Sequence, residues 1–413
     1  MEIKKIMALT AASAVLLTGC GKLIDNSKLT SDSSSFESID SLEQPPASDP
    51  PNGIKLFTSD KFGVYDDITV KDIISKDVEP SDPDQIIDTS LTGQNTAVVE
   101  YTYKGSKYNS AVSYTVIDDT PPLVLHSGNG SEHICGEEFD ISDYVGVGDN
   151  YDREPSITFT GDIDEDVNGD YPITVTASDK SGNKTEWDIT IKVVSEKTVS
   201  EPAETSTDFT DIKNEYSEKG VSVGIDVSRW QGDIDFEAVK NAGCEFVYIR
   251  IGYYDDEYSV DSCFEKNLKN AKAAGLKTGV YIYTLANTEE EIADNAEWID
   301  TMLDGEKTDL PVVFDWEEFS EFQKYKMSIH DINRFYGIFA EEMKKQGRTA
   351  MLYSSKNFLN DLWEEQTESP VWLAHYTDKT DYTGKYDMWQ LCSDGVIDGI
   401  DGYVDIDIAY DIL

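Results

Sequence analysis

Two hydrophobic textures divide this chain. Between Lys55 and Glu196 apolar and polar residues alternate with a period of two, the pattern of half-buried strands. AVVEYTYKGSKYNSAVSYTVID reads as two strands meeting at Lys104-Gly105, and YPITVTASDKSGNKTEWDITIKVV as two more around Lys180-Ser181-Gly182-Asn183. The likeness of these hairpins suggests a tandem repeat, with modules at 55–118 and 119–196 and a boundary near Asp119-Thr120-Pro121-Pro122. From 219 to 413 the pattern changes. Short apolar strands (VSVGIDV, FVYIRIG, TGVYIYT, LPVVFDWE, TAMLYS, VWLAHY, YDMWQL and YVDID) follow one another, the earlier ones separated by helical patterns. The spacing predicts helices near Ile234 to Ala242, Ser262 to Ala274, Thr288 to Leu303 and Ile329 to Gln346. The last of these has a Ser328/Asp331 capping box and a core stripe of Ile332, Phe335, Phe339 and Met343. About eight strands in β-α order predict an irregular TIM-like (β/α) barrel, smaller than the roughly 250 residues typical of that fold, with its last strands too close for full helices. The fold class expected is therefore multidomain, all-β modules followed by an α/β barrel.

The remaining segments are polar or short. Residues 20–54 and 197–218 lack apolar periodicity and are rich in Ser, Asp, Glu and Pro; the first reads as a disordered tether and the second as a linker. Residues 1–19 have a basic start (Lys4, Lys5) and an apolar run from Ile6 to Leu17, the layout of a secretory signal and too short for an ordinary membrane span. Leu17-Thr18-Gly19-Cys20 resembles the bacterial lipobox, which implies lipidation at Cys20.

Composition narrows the partners. With 34 basic and 81 acidic residues the formal charge is −47, which argues against nucleic acid and anionic membrane surfaces. Four histidines and five cysteines without ligand spacing give no metal-site signature, and no cofactor is implied. One disulfide among Cys244, Cys263 and Cys392 stays open for an exported protein.

Candidate chemistry lies at the strand ends, since barrel active sites gather at the C-terminal face. Asp226 ends the first strand, Asp315 and Glu317 the fourth, and Asp405 belongs to the last. Residues i and i+2 of a strand share a face, so Asp315 and Glu317 point to the barrel together, Trp316 points away, and Glu318 is expected to be a bystander. Neighbouring carboxyls raise each other's proton affinity, which suits Glu317 to donate a proton to a glycosidic oxygen. Tyr281, Tyr283, Trp372, Tyr376, Trp389, Gln390 and Arg250 are candidates for substrate contact, the aromatic faces suiting a sugar. Tyr281 and Trp372 could equally be core, and Arg250 could serve to neutralise the acids.

The motifs GIDVSRWQGDIDFEAV, FVYIRIGYY, GVYIYT, LPVVFDWE, VWLAHY and MWQLCSDGVIDGIDGYVDID resemble, in order, glycoside hydrolase family 25. That resemblance implies a lysozyme cutting the β-1,4 bond between N-acetylmuramic acid and N-acetylglucosamine. It implies Glu317 as proton donor, Asp315 as the assisting carboxylate, and Asp226 and Asp405 as flanking acids. The second β module, with its TPP start and GDYPITVTASDKSGN, resembles bacterial surface immunoglobulin-like modules; the first matches less well, and a spacer role is expected of both. The whole reads as a monomeric exported protein, lipid-anchored to the outer face of the bacterial cytoplasmic membrane and acting on peptidoglycan glycan strands. The alternative is a catalytically silent peptidoglycan-binding or adhesion lipoprotein.

Overall fold

A computed structural model of the chain describes residues 50–51, 55–56, 61–126, 132–197, 206–217, 220–318 and 322–411. The expected signal sequence, Cys20 and almost all of the tether lie outside the described residues.

The two β modules share a plan. In the first, Gly93–Tyr103 and Ser106–Ile117 form the expected hairpin, with Lys104 and Gly105 both at positive φ (49° and 79°) to make the two-residue turn. A short strand, Lys61–Gly63, runs parallel to Ser106–Ile117. In the second, Gly169–Ser178 pairs with Lys184–Val194, and Glu132–Ile134 lies parallel to the latter. A separate pair, Leu123–His126 with Val145–Gly148, completes that module. Each has its own apolar core, Val99, Tyr101, Val112 and Tyr114 in one and Val145, Ile173, Val175 and Ile191 in the other.

The barrel strands are β1 (Val221–Val227), β2 (Phe246–Asp255), β3 (Lys277–Thr284), β4 (Val312–Asp315), β5 (Ala350–Ser355), β6 (Val371–Ala374), β7 (Met388–Val396) and β8 (Val404–Tyr410). β1 to β7 pair in parallel in chain order, while β8 runs antiparallel to both β7 and β1 and closes the ring. The irregular end follows from the short β7–β8 connection, which has no room for a crossover helix and forces a hairpin. The main helices are α1 (Phe236–Asn241), α2 (Phe264–Ala273), α3 (Glu289–Leu303), α4 (Ile329–Lys345) and α5 (Lys356–Asp361), with a single turn over Phe322–Tyr325 before α4. Ser328 and Asp331 cap α4 reciprocally, and α4 buries Ile332, Phe335, Phe339 and Met343.

Inside the barrel, Phe246, Tyr248, Val313, Met351, Trp372 and Met388 fill the floor beneath the mouth. Gly279 of β3 is required there: a Cβ on it would lie 2.3 Å from the Tyr248 ring. The expected linker is shorter than its sequence suggests. Thr207–Asp208 adds in parallel to β7, and a helix over Phe209–Glu215, capped by Asp208, buries Phe209 against the barrel. Its polar composition hid one apolar anchor. Cys135, Cys244, Cys263 and Cys392 are all free thiols, so the disulfide left open among the last three is not formed.

Candidate active site

Strand register assembles the site. Tyr283 of β3, Asp315 of β4 and Tyr353 of β5 are neighbours across the parallel sheet, as are Arg250 of β2, Tyr281 of β3 and Val313 of β4. Asp226 of β1 lies opposite Asp405 of β8. Because β8 is antiparallel, Asp405 reaches the mouth from the beginning of its strand rather than from its end. A cavity of about 270 Å³ opens there, lined by Asp226, Arg250, Tyr281, Tyr283, Val313, Asp315, Glu317, Tyr353, Trp372, Tyr376, Gln390 and Asp405.

All four candidate acids therefore share one cavity, and six of the seven candidate contact residues join them. Trp389 does not. It is buried on the outer side of β7, donates Nε1–H to the His375 carbonyl at 2.8 Å, and packs edge-on to Tyr216. The period of two places it opposite to Met388 and Gln390, which face inward. Tyr353 is not among the sequence candidates, although TAMLYS reads as a strand; its register beside Asp315, which only the fold sets, brings it into the site. Trp316 points away as expected, fully buried against Phe322 and Tyr325 with Nε1–H on the Ala286 carbonyl. Glu318 is more than a bystander: it accepts a 2.9 Å hydrogen bond from the Tyr283 hydroxyl and so holds a ring of the cavity wall.

Two hydrogen-bond chains fix the acids. Tyr353 and Tyr376 both donate to Gln390 Oε1, at 2.9 and 3.1 Å, which turns the amide so that Nε2 donates to Asp226 Oδ2 at 2.7 Å. Beneath it, Trp372 Nε1–H donates to Asp407 Oδ1 at 3.0 Å. Arg250 is locked by Asp261, with Nε at 3.0 Å and a terminal nitrogen at 2.8 Å. It is thus a fixed positive charge in the wall rather than a free ligand.

Five carboxyls in one barrel end cannot all ionise. Burial, then the nearby Asp405, raises the proton affinity of Asp226, against the pull of Gln390. Burial, then Asp226, keeps Asp407 protonated well above the usual carboxylate range. Asp405 is pushed up to about 6, chiefly by burial. Burial and then Glu317 raise Asp315 strongly. Glu317 stands at the open mouth, yet the surrounding barrel wall still disfavours its charge and raises it, with Glu318 adding to the effect. Asp315 and Glu317 are close enough to titrate as a pair, and Asp315 Oδ1 is buried with no hydrogen-bond donor among the described residues. Both carboxyls are raised, the deeper Asp315 more strongly than Glu317.

Residues 225–400 match the family model for glycosyl hydrolases family 25. The barrel is a family 25 glycosyl hydrolase domain. The autolytic lysozyme of Clostridium acetobutylicum is 31% identical over 186 residues, covering 45% of this chain and 54% of that protein. Lysozyme M1 of Streptomyces globisporus is 30% identical over 199 residues, covering 44% of this chain and 65% of that protein. The chain spans about half the length of the first relative. A solved bacterial lysozyme from Streptomyces coelicolor is 24% identical, with a TM-score of 0.38, over 46% of this chain and 92% of that one. The β modules lie before the family match.

Proposed function

We propose that this chain is a muramidase that hydrolyses the β-1,4 bond between N-acetylmuramic acid and N-acetylglucosamine of peptidoglycan. The observation that carries the reading is the placement of Asp315 and Glu317 together in an aromatic-lined cavity at the barrel mouth, inside a family 25 domain. The substrate's acetamido N–H would donate to Asp315. A hydrogen bond to the charged form lowers a carboxyl's proton affinity, so binding favours an ionised Asp315, whose charge beside Glu317 favours the protonated form there. Glu317 then protonates the glycosidic oxygen as the acetamido oxygen attacks the anomeric carbon and the C–O bond breaks. In the second half, Glu317 takes a proton from water as that water opens the ring so formed, which leaves a reducing sugar with its configuration retained. Gln390, Tyr353 and Tyr376 hold Asp226, and Arg250 offsets the negative charge of the wall. Tyr376, which is exposed at the rim, and Tyr283 supply faces for the sugars.

The placement of the protein is part of the same proposal. The basic start, apolar run and Leu-Thr-Gly-Cys motif support export and lipidation at Cys20, with the β modules as spacers between membrane and wall. Release of reducing ends from purified peptidoglycan tests the activity. Wild type should release them and Glu317→Gln should not; release at equal rates would remove Glu317 from its role. Binding without release by wild type would favour the silent glycan-binding alternative. Cys20→Ala should move the protein from the membrane fraction to the medium.

A further inference from the structure

Away from the barrel mouth, three more carboxyls meet where the domains join. Asp118 follows the last strand of the first β module, Asp149 follows Val145–Gly148 of the second, and Asp179 follows Gly169–Ser178 of the second. One oxygen from each lies within 4.8 Å of the others, and all three residues are more than nine-tenths buried. Basic side chains of this junction are engaged elsewhere: Lys180 pairs with Asp152 at 2.8 Å, Lys326 with Glu154 at 3.3 Å, and Arg153 forks onto Asp331 of α4 at 2.7 Å.

Clustering alone does not make a site, but Asp149 adds a separate fact. Its side chain is fully buried, and Oδ1 accepts from the Tyr151 and Asp152 amides at 2.9 and 2.6 Å. Its Oδ2 accepts from no donor among the described residues. An uncompensated buried carboxylate oxygen among two other carboxylates is costly unless a cation meets it. The donor set is all oxygen.

We propose that Asp118, Asp149 and Asp179 bind a calcium-class divalent cation that locks the two β modules together and braces them against the barrel. Hard oxygen donors on irregular backbone suit Ca²⁺, which tolerates uneven geometry, better than Mg²⁺, which demands a near-ideal octahedron. Histidine and cysteine spacing carries no sign of this site, because its ligands are three aspartates far apart in sequence. The ion would bridge the module boundary directly through Asp118. It reaches the barrel through the Asp149 carbonyl, which accepts from the Ile329 amide at the start of α4 at 2.7 Å. Around that bond, Tyr65 of the first module stacks on His330 with ring centroids 3.6 Å apart.

The test is titration of CaCl₂ into the chelator-stripped full chain, read by calorimetry, by thermal melting and by small-angle scattering. The expected result is one Ca²⁺ per chain in the sub-millimolar to millimolar range of extracellular calcium modules. A higher melting temperature for the β modules and a narrower spread of domain arrangements should accompany it. Asp118→Asn and Asp149→Asn should each weaken binding by more than about tenfold. Circular dichroism of the stripped variants reports their folding, and Asp118→Asn, which leaves the Asp149 loop intact, carries the test if Asp149→Asn unfolds. The proposal is overturned if no binding occurs up to about 10 mM CaCl₂. It is also overturned if folded Asp118→Asn binds as wild type does, which would assign the calcium to the chain's general negative charge.

Discussion

Replacing Asp405 by asparagine should make the barrel more stable at neutral pH while impairing it as an enzyme. Asp405 is partly buried at the start of β8, and burial followed by the charge of Glu317 raises it from 3.8 to about 6. A carboxyl with a raised native value keeps its proton in the fold where the unfolded chain has released it. Stability therefore falls as pH rises from about 4 to about 6 and stays flat above that. The shift corresponds to about 3 kcal/mol, and water reaching the half-buried carboxyl trims this to roughly 2 kcal/mol. Asparagine has nearly the same shape and no charge to desolvate. Urea denaturation of wild type and Asp405→Asn at pH 4 and pH 7.5 gives four free energies. The two proteins should be close at pH 4, and the variant ahead by roughly 2 kcal/mol at pH 7.5. Equal pH slopes, or a variant less stable at pH 7.5 than wild type, would refute the reasoning that these acids are held at a cost to the fold.

Glu318→Gln removes a charge that raises Glu317 and weakens the acceptor of the Tyr283 hydroxyl. The alkaline limb of the kcat/KM profile should move to lower pH, and Tyr283→Phe added to it should cost little more, since the two act through one bond. Trp389 and Tyr376 should separate stability from binding. Trp389→Ala should cost about 3–5 kcal/mol in unfolding free energy with KM little changed, whereas Tyr376→Ala should raise KM and leave the melting temperature near wild type. Calorimetric melting and Michaelis kinetics on the same preparations check both, and the opposite split would exchange their roles.

The period-two and helical patterns made most of this architecture legible. LPVVFDWEEF carried its own geometry: Trp316 outward, Asp315 and Glu317 to the cavity. The regular strand ends at Asp315, yet Glu317 still reaches the mouth. Alternation also contained the answer for Trp389, since Gln390 faces the acids and its neighbour cannot. What the sequence could not supply was cross-strand register. Tyr353 joins the site only because β5 lies beside β4, and the Gln390 amide is aimed by two tyrosines from other strands. Glu318 was misjudged for the same reason, its partner Tyr283 being 35 residues away. Composition misled at the linker, where a single buried phenylalanine, Phe209, decides the domain edge against a polar surround.

Mass spectrometry of the soluble fragments released from purified peptidoglycan tests the central claim most directly. Products reduced with borohydride should end in reduced N-acetylmuramic acid, and Glu317→Gln should release none. Fragments ending in reduced N-acetylglucosamine, or muramic ends released equally by Glu317→Gln, would contradict it.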